Sequence, residues 1–169
     1  MLNERARRIR LVITDNDGVL TDGTVFVGEA GERLKAYSVK DGMGVALLRE
    51  AGIETAILTR EGPALVAPRA EKLGIRLWSG VRDKRAHLTT ILAETSLTPD
   101  VLVYIGDDVN DLALLRTIGE VGLTAAPADA VPEVQRAVHF LTAARGGRGA
   151  FREVADWLLR LRAGEQEDR

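Results

Sequence analysis

The chain has no cysteine, which excludes disulfides, thiolate metal sites and cysteine nucleophiles. It has no surplus of either charge: 23 Lys and Arg against 25 Asp and Glu leave a formal net charge of -2, so no global field favours nucleic acid or an anionic membrane. No apolar run approaches the roughly 20 residues of a membrane-spanning helix. Internal repeats, low-complexity tracts and linkers are absent from the sequence. Histidine is scarce, and His87 and His139 read as surface or core residues rather than ligands. The opening MLNERARRIRLVIT is basic but leads into only a short apolar run, unlike a secretory signal, so a cytoplasmic protein is the expectation.

What is present is the composition of an ordinary globular domain: 169 residues, 46% hydrophobic and 28% charged, enough chain to bury one core. Short β-branched runs at 9–14, 53–58, 75–78, 101–105 and 120–124 read as strands. Helical patterns fall at 42–51 (capped by Asp41, ended by Gly52), 64–73 (with a kink or break expected at Pro68), 83–95, 109–118, 131–138 and 151–162. Residues 25–27 and 34–39 read as a hairpin about a turn at 28–31. Strands alternating with helices predict βαβ units and a mainly parallel sheet covered on both faces. One domain over 1–169 is expected, with 1–8 and 163–169 frayed.

Ligands of open α/β sheets bind beyond the carboxyl ends of the strands. The first strand ends in TDNDGVLTDG, carrying Asp15, Asp17 and Asp22, and another ends in GDDVND, carrying Asp107, Asp108, Asn110 and Asp111. So many carboxylates at one edge need a cation, and oxygen donors without His or Cys favour Mg²⁺. Asp15 and Asp107 are the side-chain candidates, with the backbone carbonyl of Asp17 as a third ligand and Asp108 and Asp111 behind them. Thr59 at a strand end, Lys84 at a helix start and Asn110 suit phosphoryl oxygens. In such a site Asp15 can attack phosphorus, while Asp17, two residues along the same turn, protonates the leaving alcohol and then deprotonates water. Arg148, among Gly146, Gly147 and Gly149, reads either as part of a flexible turn or as a hand for a carboxylate or phosphate.

With these residues in order, the chain resembles the haloacid-dehalogenase superfamily of phosphatases, whose four motifs match DNDGVLTDG, Thr59, Lys84 and GDDVND. More narrowly, DGVLTDG, KDGMGVALLREAGI, RAEKLGI, Asp83-Lys84 and GGRGAFREVADWLL resemble the phosphatases of 3-deoxy-D-manno-octulosonate (KDO) 8-phosphate. They equally resemble relatives acting on nine-carbon keto sugar acids (KDN and N-acylneuraminate 9-phosphates), including the phosphatase-like tail of CMP-sialate synthetases. The resemblance covers residues 9–159. It implies a three-layer Rossmann-like α/β fold with a hairpin flap and no cap domain, Mg²⁺ dependence, and a homotetramer. A neighbouring subunit would cover each site, and the GGRG segment would reach toward the adjacent one. Two positions depart from the family pattern. Arg60 stands where glycine is frequent, and Glu61 stands where octulosonate phosphatases commonly carry arginine. An acidic residue there resembles the nonulosonate-type relatives and can meet an amino or hydroxyl-rich end of a longer sugar acid; Arg60 or a neighbour's Arg148 would then receive the carboxylate.

Three other readings compete. A signalling receiver also groups acidic residues, Thr and Lys, but its acidic pair and phosphate acceptor come in the opposite chain order. A catalytically weak tetramerisation module is disfavoured by the intact Asp15, Asp17, Thr59, Lys84 and Asp107. A generalist small-molecule phosphatase differs only in its substrate range.

Overall fold

The structure, a computed structural model, describes residues 1–164. The elements follow one another as α1 (Leu2–Arg8), β1 (Leu11–Thr14), two short strands β2 (Val27–Gly28) and β3 (Gly31–Glu32), α2 (Val39–Glu50), β4 (Glu54–Leu58), α3 (Pro63–Leu73), β5 (Arg76–Trp78), α4 (Lys84–Thr95), β6 (Leu102–Ile105), α5 (Leu112–Gly119), β7 (Leu123–Ala126), α6 (Pro132–Gln135), β8 (Phe140–Leu141) and α7 (Ala150–Ala163). Six strands form one parallel sheet in the order β5-β4-β1-β6-β7-β8. Thr14 at the end of β1 lies opposite Ile57 on one side and Ile105 on the other. The segments leaving β1, β4 and β6 therefore emerge side by side at one edge.

Successive strand residues point to opposite faces, and here both faces are apolar. Val12, Ile57, Val103 and Ile105 pack with Val45, Leu48, Val154 and Trp157 in one core. Leu11, Ile13, Leu58 and Tyr104 pack with Leu88, Ile91, Leu114 and Ile118 in the other. The result is a three-layer α/β sandwich. Between β1 and β4 stand only the small hairpin and α2, and between β4 and α4 only α3 and β5, so neither interval holds a cap domain. Among the described residues no helix is long and apolar enough to cross a membrane.

Several local expectations are corrected. Residues 2–8 do not fray: they form α1, with Ala6 fully buried and Arg5 donating to the carbonyls of Gly119 and Gly122, both at 2.9 Å. Of the tail expected frayed from 163, Ala163 is the last residue of α7 and Gly164 its C-cap, and 165–169 lie outside the described residues. The hairpin is small, pairing Val27 with Glu32 and Gly28 with Gly31. Phe26, Val27 and Leu34 are 60, 77 and 70% exposed, so little burial supports a longer two-stranded ladder. Helix α2 starts earlier than expected, at Val39, because the Ser38 hydroxyl caps it by accepting from the Lys40 N–H at 3.1 Å. Asp41, the expected cap, is buried and serves another helix: its Oδ1 accepts from the Arg152 N–H at 2.9 Å, in the first turn of α7, whose own N-cap is Gly149. Helix α3 runs unbroken through Pro68. Strand β7 begins later than expected, at Leu123, because 120–122 turn the chain out of α5; β8 carried no readable strand signal.

Candidate active site

Asp15 follows β1 and extends the sheet by one hydrogen bond, its N–H donating to the Ile105 carbonyl at 2.9 Å. Its buried carboxylate accepts from the Asn16 N–H (2.7 Å) and from the Lys84 ammonium (2.6 Å). Burial pushes its pKa up, Lys84 pulls it down and Asp111 pushes again; the net direction is upward. Asp107, two residues beyond β6, is pushed up to about 8, by burial and then by Asp15, Asp111 and Asp108. The chain between Asp15 and Val19 passes so close over Asp107 that a Cβ on Gly18 would lie 1.9 Å from Asp107 Oδ2. With φ at +85°, that position requires glycine twice over.

Asp111 is the hub beneath. One of its carboxylate oxygens accepts from Lys84 (2.7 Å) and from the Tyr104 hydroxyl (2.5 Å), the other from the N–H groups of Asp107 (3.0 Å) and Asp108 (3.4 Å). Lys84 opens α4, capped by Asp83, and is wholly buried between Asp15 and Asp111. Burial alone would lower its pKa, but the two carboxylates outweigh burial and hold it above the ordinary lysine value.

Over these groups lies an open cleft of about 600 Å³ whose walls include Asp15, Asp17, Thr59, Asp107, Asp108 and Asn110. Thr59 is buried at the end of β4, its hydroxyl accepting from the Glu61 N–H at 3.1 Å. Arg60, Glu61 and Arg82 also line the cleft. The structure thus brings together all the residues expected at the site except Arg148. Lys84, expected on phosphate, reaches the site from beneath, with its ammonium engaged by Asp15 and Asp111. Arg148 does not line the cleft; it is 74% exposed and reaches Asp22 at 3.6 Å. Its loop is anchored within the chain: the Gly147 N–H donates to the Val19 carbonyl at 2.9 Å, and a Cβ on Gly146 would lie 1.9 Å from the Gly18 carbonyl oxygen.

No family model matches the chain. Relatives do. The chain is 42% identical over 157 residues to the 3-deoxy-D-manno-octulosonate 8-phosphate phosphatase of Yersinia pestis, an alignment covering 92% of this chain and 82% of that protein. It is 40% identical over 156 residues to the enzyme of the same name from Escherichia coli K12, covering 92% and 81%. The chain belongs to the 3-deoxy-D-manno-octulosonate 8-phosphate phosphatase family. A solved octulosonate phosphatase from Moraxella catarrhalis, in complex with magnesium ion, phosphate ion and KDO, matches with a TM-score of 0.88 at 32% identity, covering 96% of this chain and 92% of that one. The one from Haemophilus influenzae, in a cobalt-bound form, matches with a TM-score of 0.87 at 34% identity, covering 94% and 92%.

A divalent cation fits the donors present in this member of the octulosonate phosphatase family. Carboxylate oxygens of Asp15, Asp107 and Asp111 lie within 4.8 Å of one another, and hard oxygen donors suit a hard cation. Asp111 already accepts from four donors, which leaves Asp15 and Asp107 as the carboxylates with capacity. Sequence reasoning missed Tyr104, Arg82 and Lys35. Tyr104 is hidden in the apolar VLVYI run and Arg82 in an unpatterned loop. Lys35 finds Asp17 at 2.8 Å across 18 residues of mostly irregular chain, a contact no local pattern signals.

Proposed function

We propose that the protein hydrolyses the phosphate ester of a 2-keto-3-deoxy sugar acid, with Asp15 as nucleophile and Asp17 as acid and base. The observation that carries the reading is the carboxylate of Asp15 on the floor of a polar cleft, held by Lys84 at 2.6 Å with Asp17 on the same wall. Asp15 attacks phosphorus and the bond to the sugar oxygen breaks, with Asp17 giving that oxygen its proton. Asp17 then takes a proton from the water that attacks the aspartyl-phosphate, which releases phosphate and restores Asp15. Lys84 favours the ionised form of Asp15 against the burial that opposes it, and balances its charge as an anionic phosphate approaches. Its third N–H, beyond the two carboxylates, is available to a phosphoryl oxygen. The Thr59 hydroxyl and the Asn110 amide bind the remaining oxygens. Mg²⁺, held by Asp15, Asp107 and the Asp17 carbonyl, supplies Lewis-acid stabilisation of phosphoryl charge when bound.

The relatives' names favour KDO 8-phosphate as substrate. One observation favours a longer acid: Glu61 lines the cleft where those enzymes commonly carry arginine, and it suits an amino or hydroxyl-rich end. Arg60 on the same wall then meets the carboxylate. The single six-stranded sheet, with the small hairpin inserted after β1, supports reading the chain as one domain. Exposed Val25, Phe26, Val27, Leu34, Val39 and Met43 cluster on the hairpin and the start of α2, which supports assembly into a homotetramer whose neighbours cover the open cleft. The test is Mg²⁺-dependent phosphate release from KDO 8-phosphate, KDN 9-phosphate, N-acetylneuraminate 9-phosphate and hexose phosphates. Asp15→Asn is expected to lose at least about 1,000-fold in turnover with its circular dichroism unchanged. Undiminished release would remove Asp15 as nucleophile, and equal slow release from every ester would remove the sugar-acid assignment.

A further inference from the structure

Lys35 lies between the hairpin and α2, where neither strand nor helix fixes the backbone. Its side chain is nonetheless only 4% exposed. The ammonium meets three carboxylates from three separate segments: Asp17 Oδ1 at 2.8 Å, Glu32 Oε1 at 2.8 Å and Glu61 Oε2 at 3.6 Å. A covered lysine without such partners would be strongly disfavoured, so the three anions determine where it sits. Burial pulls its pKa down, but Asp17 and Glu32 outweigh burial and hold it above the ordinary lysine value, so it stays charged.

The contacts of Asp17 are one-sided. Oδ1 accepts from Lys35, from the Asn16 side-chain amide at 3.1 Å and from the Thr21 hydroxyl at 3.3 Å. Among the described residues Oδ2 accepts from none of them, although Asp17 lines the cleft. A carboxyl pinned through one oxygen keeps the other in a fixed place for proton transfer. The same ammonium reaches Glu61, which also lines the cleft.

We propose that Lys35 is a positioning residue for the reaction: it pins Asp17 through Oδ1, leaves Oδ2 to carry the proton, and fixes the spacing between Asp17 and the substrate-facing Glu61. The proposal rests on the reading of Asp17 as acid and base. It also gives the hairpin a role in chemistry, since Lys35 is the link by which that segment grips the cleft.

The experiment compares Lys35→Met, Lys35→Arg, Glu32→Gln and Asp17→Asn, measuring kcat and KM with KDO 8-phosphate and Mg²⁺ alongside the thermal midpoint. Lys35→Met is expected to lower kcat about 10- to 100-fold, with a smaller change in KM. Lys35→Arg should recover part of this, to about 3- to 10-fold below wild type, because a planar fork cannot place one point charge on both 2.8 Å contacts. Glu32→Gln, which leaves the contact to Asp17 in place, should cost less than Lys35→Met. In the double variant, Lys35→Met should add little to Asp17→Asn, since both act on one step. A Lys35→Met enzyme with kcat within about twofold of wild type, or a loss that adds in full to Asp17→Asn, overturns the proposal. A lowered midpoint with intact kcat does the same, reducing Lys35 to a structural tack. If Lys35→Met does not fold, Lys35→Arg decides alone, and wild-type kcat and KM in that variant overturn the proposal. Full activity in Asp17→Asn would instead sink the acid–base reading itself, whereas a dead Asp17→Asn beside an unaffected Lys35→Met sinks only the role given to Lys35.

Discussion

The two edges of the sheet handle charge in opposite ways. Where the strands begin, guanidinium groups close over helix C-termini: Arg5 on the carbonyls of Gly119, Glu120 and Gly122 after α5, Arg49 on Leu73 and Gly74 after α3, and Arg162 on Ala51 after α2. Each cation meets carbonyls that a helix end leaves without donors, so charge and need match. Where the strands end, three carboxylates crowd within 4.8 Å, and Lys84 is the cation bonded among them. One edge is arranged for stability; the other holds like charges together for chemistry, at a cost in stability.

The sharpest way to break this comparison is Asp107→Asn. Phosphatase activity is expected to fall by roughly two orders of magnitude or more, because a proposed Mg²⁺ ligand is lost. Yet protein stripped of divalent cations should melt higher than wild type at pH 8 and no higher at pH 5, where the native carboxyl is already protonated. A lower midpoint at both pH values would show that the acidic edge is not strained.

Lys84→Met should do the reverse at the same edge, leaving Asp15 and Asp111 buried without their cation. The expected loss is about 3–5 kcal/mol, read by urea unfolding. Next in size is the pH dependence of the cation-free wild type. The folded Asp107 carboxyl binds its proton more tightly than the unfolded one, so its contribution is full below the ordinary value of 3.8 and declines as pH rises toward about 8. Asp15, raised in the same direction, adds to that decline, and thermal melts from pH 4 to 8 measure it. Added Mg²⁺ should restore most at the alkaline end. The smallest effect belongs to the other edge: Arg5→Ala should cost about 1–3 kcal/mol and leave kcat within about twofold.

The contrast also explains what could be read from the sequence. Asp15, Thr59 and Asp107 are legible as neighbours because each follows a short apolar strand, and parallel topology brings such positions to one edge. Tyr104 was not, since a tyrosine in a buried strand looks like core until Asp111 is seen beside its hydroxyl at 2.5 Å. Lys35 and Asp41 act on partners 18 and 111 residues away, distances at which spacing carries no signal. The first helix was missed for a related reason: only Ala6 of its seven residues is fully buried, and its stability comes from docking on α7 and α5 rather than from its own pattern. The kink or break expected at Pro68 does not interrupt α3, because one lost N–H weighs less than the rest of the helix.

The seating of Gly146 and Gly147 against 18–21 has a consequence in time. The turn that follows Asp15 is synthesised well before the strap that packs against it. A nascent chain stopped short of residue 146 already contains every acidic group of the cleft, but the loop that should close over Asp107 has nothing to lean on. The loop over Asp107 thus takes its final shape only when two segments distant in the sequence have met.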